Sequence, residues 1–334
     1  MIELNQREAA LLVNVDVFAY RTKGMKVEDE KEELRELAKT SGVEIIQEVV
    51  CHYDKPTPNL FIGSGKAREL GLLVSELNTD VALFSVDLSG IQQRNLEDIL
   101  GCKVIDRTQL ILDIFAQHAR SPEGRMQVEL AQLQYLLPRL TGKGVMLSRL
   151  GGGIGTRGPG EQKLELDRRR IRRRIARLKL NLNKVHSQRA LVRKKRKEEA
   201  LPLVSLVGYT NSGKTTLLNS LVGEQQLADD SLFTTLDPLS RTLVLSANQR
   251  VIISDTVGFL HNLPAHLIEA FKATLEDIRE ADLLIHVLDV SHPLRYNYYQ
   301  AVISVLKEIG CADKPMITAL NKVDKLETLD WLGK

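Results

Sequence analysis

Hydrophobic and polar positions along this chain fall into two alternating textures. Short apolar runs, LLVNVDV at 11–17, VEIIQEVV at 43–50 and VALFSV at 81–86, are separated by amphipathic stretches at 27–40, 66–77 and about 91–100. Brief β-branched runs read as strands, and apolar residues spaced three and four apart read as helices. Their alternation predicts a small parallel α/β domain over residues 1–107. Helical patterning continues through 108–120. Leu130, Leu133, Leu137 and Leu140 are then spaced 3, 4, 3, and Ile171, Ile175, Leu178, Leu182 and Val185 are spaced 4, 3, 4, 3. Each series is the seam of a helix packing along one partner. Between the seams, residues 151–160 (GGGIGTRGPG) carry six glycines and a proline, which excludes regular structure there. The pattern predicts an antiparallel helical hairpin over 108–200, its glycine-rich tip at 151–160. From 201 to 334 the α/β texture returns, with apolar strands in LVSLVG (203–208), VIISDTVGF (251–259), ADLLIHVLDV (281–290) and PMITALNKVD (315–324).

Composition changes this picture little; charge distribution changes it a good deal. At 334 residues, 43% hydrophobic and 27% charged, the chain suits two or three soluble domains and excludes a disordered or collagen-like protein. Cys51, Cys102 and Cys311 form no close pair, which argues against a disulfide framework or a cysteine zinc site. No apolar run reaches 18 residues, and the N-terminus lacks a basic-then-apolar signal. The expectation is therefore a cytoplasmic chain with no membrane partner. The net charge of +3 conceals a segment from Arg157 to Lys197 with 17 Lys/Arg against three acids, a local +14. A helical arm over 161–197 would be roughly 55 Å long at 1.5 Å per residue. Arg168, Arg169, Arg170, Arg172, Arg173, Arg174 and Arg177 lie off its apolar seam and would line its outer faces. Such a stripe attracts polyanions through counterion release. Aromatic residues make up only 4% of the chain, so stacking on bases would not dominate contact with nucleic acid.

The strand at 203–208 runs into Gly208-Tyr209-Thr210-Asn211-Ser212-Gly213-Lys214-Thr215, followed by Thr216 and a helix. This is GxxxxGK[ST] in the strand–loop–helix context the motif needs. Its backbone N–H groups would wrap phosphates at a helix N-terminus. Lys214 would reach the β and γ phosphates, and Thr215 would offer its hydroxyl to Mg²⁺. By contrast, GSGK at 63–66 lacks the earlier glycine and reads as a turn before a helix. Asp255-Thr256-Val257-Gly258 ends the next strand, where the carboxylate can hold Mg²⁺ through water and the Gly258 N–H can sense a γ phosphate. Asn321-Lys322-Val323-Asp324 ends the last one, and its aspartate can accept two hydrogen bonds from guanine that adenine cannot donate. Phe233-Thr234-Thr235-Leu236-Asp237 is polar and loop-like, placed as a first switch loop. P-loop, DxxG and NKxD in this order imply a doubly wound GTPase domain binding GTP and GDP. Where many GTPases carry a water-orienting glutamine after DxxG, this chain has Phe259. His286 lies within an apolar strand, where a satisfied core imidazole is expected rather than a ligand.

Beyond these motifs, the residues resemble the HflX family of the Obg–HflX group. The likeness includes 105–140 (IDRTQLILDIFAQHARSPEGRMQVELAQLQYLLPRL), 149–170 (RLGGGIGTRGPGEQKLELDRRR), FTTLDP at 233–238 and DTVGF at 255–259. It implies an N-terminal α/β domain, a helical hairpin and a GTPase domain. It also implies GTP hydrolysis coupled to the large ribosomal subunit, with splitting or rescue of stalled ribosomes under stress. By the same resemblance Thr235, rather than Thr234, is the switch threonine on Mg²⁺, and Lys214, Thr235 and Gly258 carry catalysis. The tip, with Arg149, Gly151, Gly152, Gly153 and Arg157, would face ribosomal RNA near the peptidyl-transferase region, and Arg168, Arg169, Arg170, Arg172 and Arg173 would hold its phosphates. Asn211 resembles the P-loop asparagine that binds K⁺ in some related GTPases. A monomer without affinity for DNA is expected. The alternative is a non-enzymatic RNA-binding factor that acts by occupancy, its nucleotide serving only as a conformational switch. Two departures stand out. Gln162 and Lys163 differ from the usual tip sequence, and only ten residues follow Asp324, so a final guanine-contacting loop, strand and helix are missing from the pattern. The expectation is weaker GTP binding than in an intact homologue.

Overall fold

A computed structural model describes residues 7–18, 27–140, 159–198, 201–223, 232–233, 239–245, 249–260 and 272–326. Two units divide the chain, one of Met1–Gln117 with Val128–Leu180, the other of His118–Gln127 with Asn181–Lys334.

The first unit holds β1 (Ala9–Val17), α1 (Val27–Ser41), β2 (Glu44–Tyr53), α2 (Ser64–Leu77), β3 (Val81–Phe84), α3 (Gly90–Leu100), β4 (Lys103–Ile105) and α4 (Arg107–His118). The sheet order is β2-β1-β3-β4 with every pairing parallel. Burial runs almost unbroken along β1, as expected of a central parallel strand covered on both faces. Local chemistry sets the helix ends. Ser89 and Gln92 form a capping box at the start of α3, and Gly101, at φ 71°, ends it. Strand β3 stops at Phe84, two residues before the apolar run ends, because Ser85 turns its hydroxyl to accept the Val15 N–H at 2.9 Å. Strand β4 was not foreseen; three residues are too few to show a period. The GSGK turn is the N-terminus of α2, where Lys66 pairs with Glu69 at 2.6 Å.

Helix α5 (Pro122–Arg139) and the 40-residue α6 (Pro159–Glu198) follow. Arg174 bonds Glu129 through both guanidinium edges, at 2.6 and 2.7 Å, and Arg189 meets Glu123 at 2.8 Å. Higher numbers on α6 meet lower numbers on α5, so the two helices run antiparallel. Leu178 and Leu182 of the predicted seam are buried. One expectation needs correction: Arg174 is exposed but its charge is taken by Glu129, and Arg168 is only half-exposed, with its Nε buried. The tip residues Arg149, Gly151, Gly152, Gly153 and Arg157 lie outside the described residues.

Near the N-terminal end of α3, Asp106 is fully buried and accepts from Arg139 Nη2 at 2.9 Å and from the Leu88 and Gln109 N–H groups at 3.1 and 2.8 Å. Burial pushes its carboxyl pKa up, against the pull of those bonds and of the arginine.

The second unit contains β5 (Leu203–Val207), α7 (Lys214–Val222), β6 (Leu239–Val244), β7 (Arg250–Asp255), α8 (Lys272–Glu280), β8 (Leu283–Asp289), α9 (Arg295–Glu308) and β9 (Met316–Asn321). Its sheet order is β6-β7-β5-β8-β9; only β6 is antiparallel. β5 is central and buried at all five positions, and its C-terminal end opens toward the P-loop. Ligands of doubly wound sheets bind at such strand ends.

Candidate nucleotide-binding site

The loop between β5 and α7 takes its shape from contacts that leave no room for side chains at two positions. A Cβ on Gly208 would lie 2.5 Å from the Val287 carbonyl oxygen, and one on Gly213, at φ 91°, would lie 2.2 Å from Asn321 Nδ2. Asn211 adopts the left-handed region at φ 56°, which asparagine tolerates better than most residues. Thr210 Oγ1 and Ser212 Oγ are buried without a hydrogen-bond partner among the described residues. Buried polar atoms left unmatched in this way are costly, and here they belong to the loop that phosphate would fill. Thr216 is exposed on the first turn of α7.

Lys214 is 6% exposed. Its ammonium donates to the carbonyl oxygens of Tyr209 at 2.9 Å and Gly208 at 3.3 Å. Burial lowers its pKa to about 8, with the charge of Asp255 acting in the opposite direction. Thr215 Oγ1 donates to Asp255 Oδ2 at 2.6 Å, so a hydroxyl and a carboxylate converge as two hard oxygen donors, a set that suits Mg²⁺.

The DxxG segment is laced onto the P-loop. Thr256 Oγ1 donates to the Leu206 carbonyl at 2.7 Å. Phe259 N–H donates to the Gly208 carbonyl and Thr210 N–H to the Phe259 carbonyl, both at 3.0 Å. A Cβ on Gly258 would stand 2.7 Å from Thr210 Cα, so glycine permits this approach. Val257 and Phe259 are buried; the phenyl ring packs inward and supplies no group to orient water.

From the other side, Asn321 Nδ2 donates to the Ser212 carbonyl at 2.8 Å. Lys322 Nζ bonds the Asn211 carbonyl at 2.8 Å and Asp289 Oδ2 at 2.8 Å. Burial works against the charge of Asp289, yet hydrogen bonds from Lys322 and Ser291 hold its carboxyl below the usual range. Val323 and Asp324 lie in a 3₁₀ turn, Asp324 exposed. The structure thus brings Gly208–Thr215, Asp255–Gly258 and Asn321–Lys322 into one site. Phe233 is buried at φ 59°; Thr234, Thr235, Leu236 and Asp237 lie outside the described residues.

Sequence reasoning missed Asp289, whose position at the end of β8, level with Asn321 in the sheet, was its only signal. It also mistook His286. The ring is fully buried, as foreseen, but neither nitrogen has a hydrogen-bond partner among the described residues. Burial, followed by the charge of Lys214, lowers its pKa to about 4, so it sits neutral beneath the P-loop.

Three family models match successive parts of the chain. Residues 28–116 match the family described as GTP-binding GTPase N-terminal, 118–196 the GTP-binding GTPase Middle Region, and 203–322 the 50S ribosome-binding GTPase. GTPase HflX of Caldanaerobacter subterraneus is 51% identical over 302 residues, covering 90% of this chain and 71% of that protein. GTPase HflX of Escherichia coli is 44% identical over 323 residues, covering 97% and 75%. Among solved structures, a GTP-binding protein from the hyperthermophilic archaeon Sulfolobus solfataricus, in complex with GDP, aligns at a TM-score of 0.50 and 26% identity over 96% of this chain and 84% of its own. With the phosphate and guanine motifs assembled as described, the chain is a GTP-binding GTPase and belongs to the HflX family.

Proposed function

We propose that this GTPase acts on the large ribosomal subunit, holding ribosomal RNA with its basic helix and splitting or rescuing stalled ribosomes. The observation that carries the reading is electrostatic. Arg169, Arg170 and Arg174 pair with Glu165, Asp167 and Glu129, whereas Arg172, Arg173 and Arg177 are exposed and meet no acid among the described residues. Cations left uncompensated on a rigid helix gain from phosphates and carry no base sequence preference, which suits the backbone of folded RNA. The tip, with Arg149, Gly151 to Gly153 and Arg157, would enter the peptidyl-transferase region. A cytoplasmic monomer, acting under stress, goes with this reading.

Within the nucleotide site, Thr215 and Asp255 would hold Mg²⁺, the aspartate through water, joined by Thr235 of the switch loop. The ion would neutralise phosphate charge; Lys214 and the P-loop N–H groups orient the phosphates, and Gly258 reports the γ phosphate. The Asn211 side chain would take K⁺. Because Phe259 orients no water, the missing group comes from the ribosomal partner, and basal hydrolysis is slow.

Sucrose-gradient sedimentation of ribosomes with the protein and GTP, or a non-hydrolysable analogue, tests this. Binding to large subunits with conversion of whole ribosomes into subunits supports it. No co-sedimentation, or hydrolysis rates equal with and without large subunits, would refute it. Full splitting by Lys214→Ala would instead favour the occupancy mechanism.

A further inference from the structure

Three aromatic rings form a column against the P-loop. Tyr209, directly after Gly208, is 5% exposed. The ring of Tyr298, from the first turn of α9, lies flat on it with centroids 3.8 Å apart and 5° between the planes. His292, in the connection between β8 and α9, lies against Tyr298 at 4.6 Å and 29°. The far end of the column is tied to the start of α9. His292 Nδ1 accepts the Leu294 N–H at 3.1 Å, so in the neutral ring the proton is on Nε2, which faces Tyr298 Oη at 3.4 Å. Tyr298 N–H in turn bonds the Leu294 carbonyl at 3.0 Å.

Tyr209 occupies the point where most strands of the site meet. Its carbonyl receives the Lys214 ammonium, and its neighbours Gly208 and Thr210 are both bonded to Phe259. The C-terminal end of β8 also reaches the loop by a second route, through Asp289 to Lys322 and from Lys322 to the Asn211 carbonyl. A glycine-bounded loop has many conformations available, and a cradle that must be formed on binding loses affinity to that ordering. Face-to-face contact with the Tyr298 ring restrains it through a side chain and leaves the loop's main-chain N–H groups for phosphate.

We propose that Tyr298 is a positioning residue for the GTPase reaction, holding the P-loop in its phosphate-cradling form through the ring of Tyr209. It acts through another residue and has no part in the chemistry. Loss of the stack is worth about 2- to 12-fold in affinity, the conversion of about 0.5–1.5 kcal/mol for an aromatic pair at about 1.4 kcal/mol per tenfold.

The test is nucleotide affinity and release, measured with fluorescent mant-GDP on Tyr298→Ala, Tyr298→Phe, Tyr209→Ala and the Tyr209→Ala/Tyr298→Ala pair. Tyr298→Ala should release mant-GDP about 5-fold faster and raise KM for GTP while kcat holds. Tyr298→Phe should behave as the parent, since the contact needs the ring and not the hydroxyl. Once Tyr209 is alanine, the second substitution should add nothing. The proposal is overturned if Tyr298→Ala matches the parent, if Tyr298→Phe is as impaired as alanine, or if the two alanine effects add. Should the alanine variant fail to fold, Tyr298→Gln, which suits the helix and lacks a ring, takes its place with the same outcomes.

Discussion

Guanine-nucleotide affinity should fall as pH rises past about 8, and Lys214 should be the reason. Its ammonium is almost wholly out of water, held by two loop carbonyls, and burial has brought its pKa from 10.5 to about 8. A bound phosphate favours the charged form and moves the pKa back up. Below pH 8 the lysine is charged with and without nucleotide, so affinity is flat. Above it, each binding event must first restore a proton, and affinity falls toward tenfold per pH unit. The charged fraction drops from about 0.76 at about pH 7.5 to about 0.09 at about pH 9, so the Kd for GDP rises about eightfold. The ceiling on this loss is about 3.4 kcal/mol, the lowering from 10.5 to about 8 at about 1.36 kcal/mol per unit. The assay is mant-GDP titration across this range in constant Mg²⁺ and salt, with Lys214→Arg as control because a guanidinium keeps its proton. A bend common to both proteins belongs to another group, such as guanine N1. A wild-type curve that stays flat, or that bends no more than the arginine variant, refutes the reasoning.

Other perturbations follow from single contacts. Gly213→Ala forces a side chain into the left-handed region and against Asn321 Nδ2; strain and a lost hydrogen bond together cost about 2–3 kcal/mol, so mant-GDP titration should show affinity down roughly 30- to 150-fold. His286, with a folded pKa of about 4 against an ordinary 6.5, costs nothing in protonation at neutral pH, but the unfolded chain takes up its proton as pH falls below 6.5. About 2 kcal/mol of stability should be lost by about pH 5, and urea unfolding of His286→Phe should lack that acid loss. Arg139→Leu leaves the buried Asp106 carboxyl without its cation and should cost about 3–5 kcal/mol in urea at neutral pH, less in acid, where the raised pKa lets Asp106 take a proton. Replacing Arg172, Arg173 and Arg177 by glutamine should lower the salt dependence of ribosome binding by about two to three ions, while Arg174→Gln, already paired with Glu129, should leave the slope nearly unchanged and instead loosen α5 against α6.

What the sequence revealed, and what it hid, divides by the range of the interaction. Periodicity located β1, β5, β8 and the long α6 to within a few residues, because burial in a sheet interior or along one seam is written into consecutive positions, and it found the edge strand β2 through its β-branched run despite its exposure. It passed over β4, which is three residues long, and β6, an edge strand whose alternation is half exposed. The phosphate and guanine motifs were legible because each needs fixed residue types at fixed spacing. Their mutual contacts were not. Nothing in local spacing shows that Asn321 grips Ser212 across 109 residues, that Phe259 pairs with both Gly208 and Thr210, or that Tyr298 lies flat on Tyr209. The misjudged Arg174 has the same origin: its helical position faces outward from the apolar seam, but Glu129 on the neighbouring helix claims it.

These cross-contacts explain how one loop can be both glycine-rich and well formed. Glycine at 208 and 213 is required because a carbonyl and an amide approach where a Cβ would be, so the residues that give the loop its freedom also let it be gripped. DxxG holds it by two main-chain bonds, NKxD by two side chains, and β8–α9 by a stacked ring. The cradle therefore stands ready for phosphate, and little of the binding energy goes to ordering it. Catalysis is treated differently: the residue after DxxG turns a phenyl ring into the protein, and that side chain cannot place a water. A preformed cradle beside a DxxG whose next residue orients no water would favour retention of nucleotide over turnover. Under the ribosomal role proposed above, hydrolysis would be timed by the partner, and the exposed cations of α6, remote in sequence from the P-loop, would recognise it.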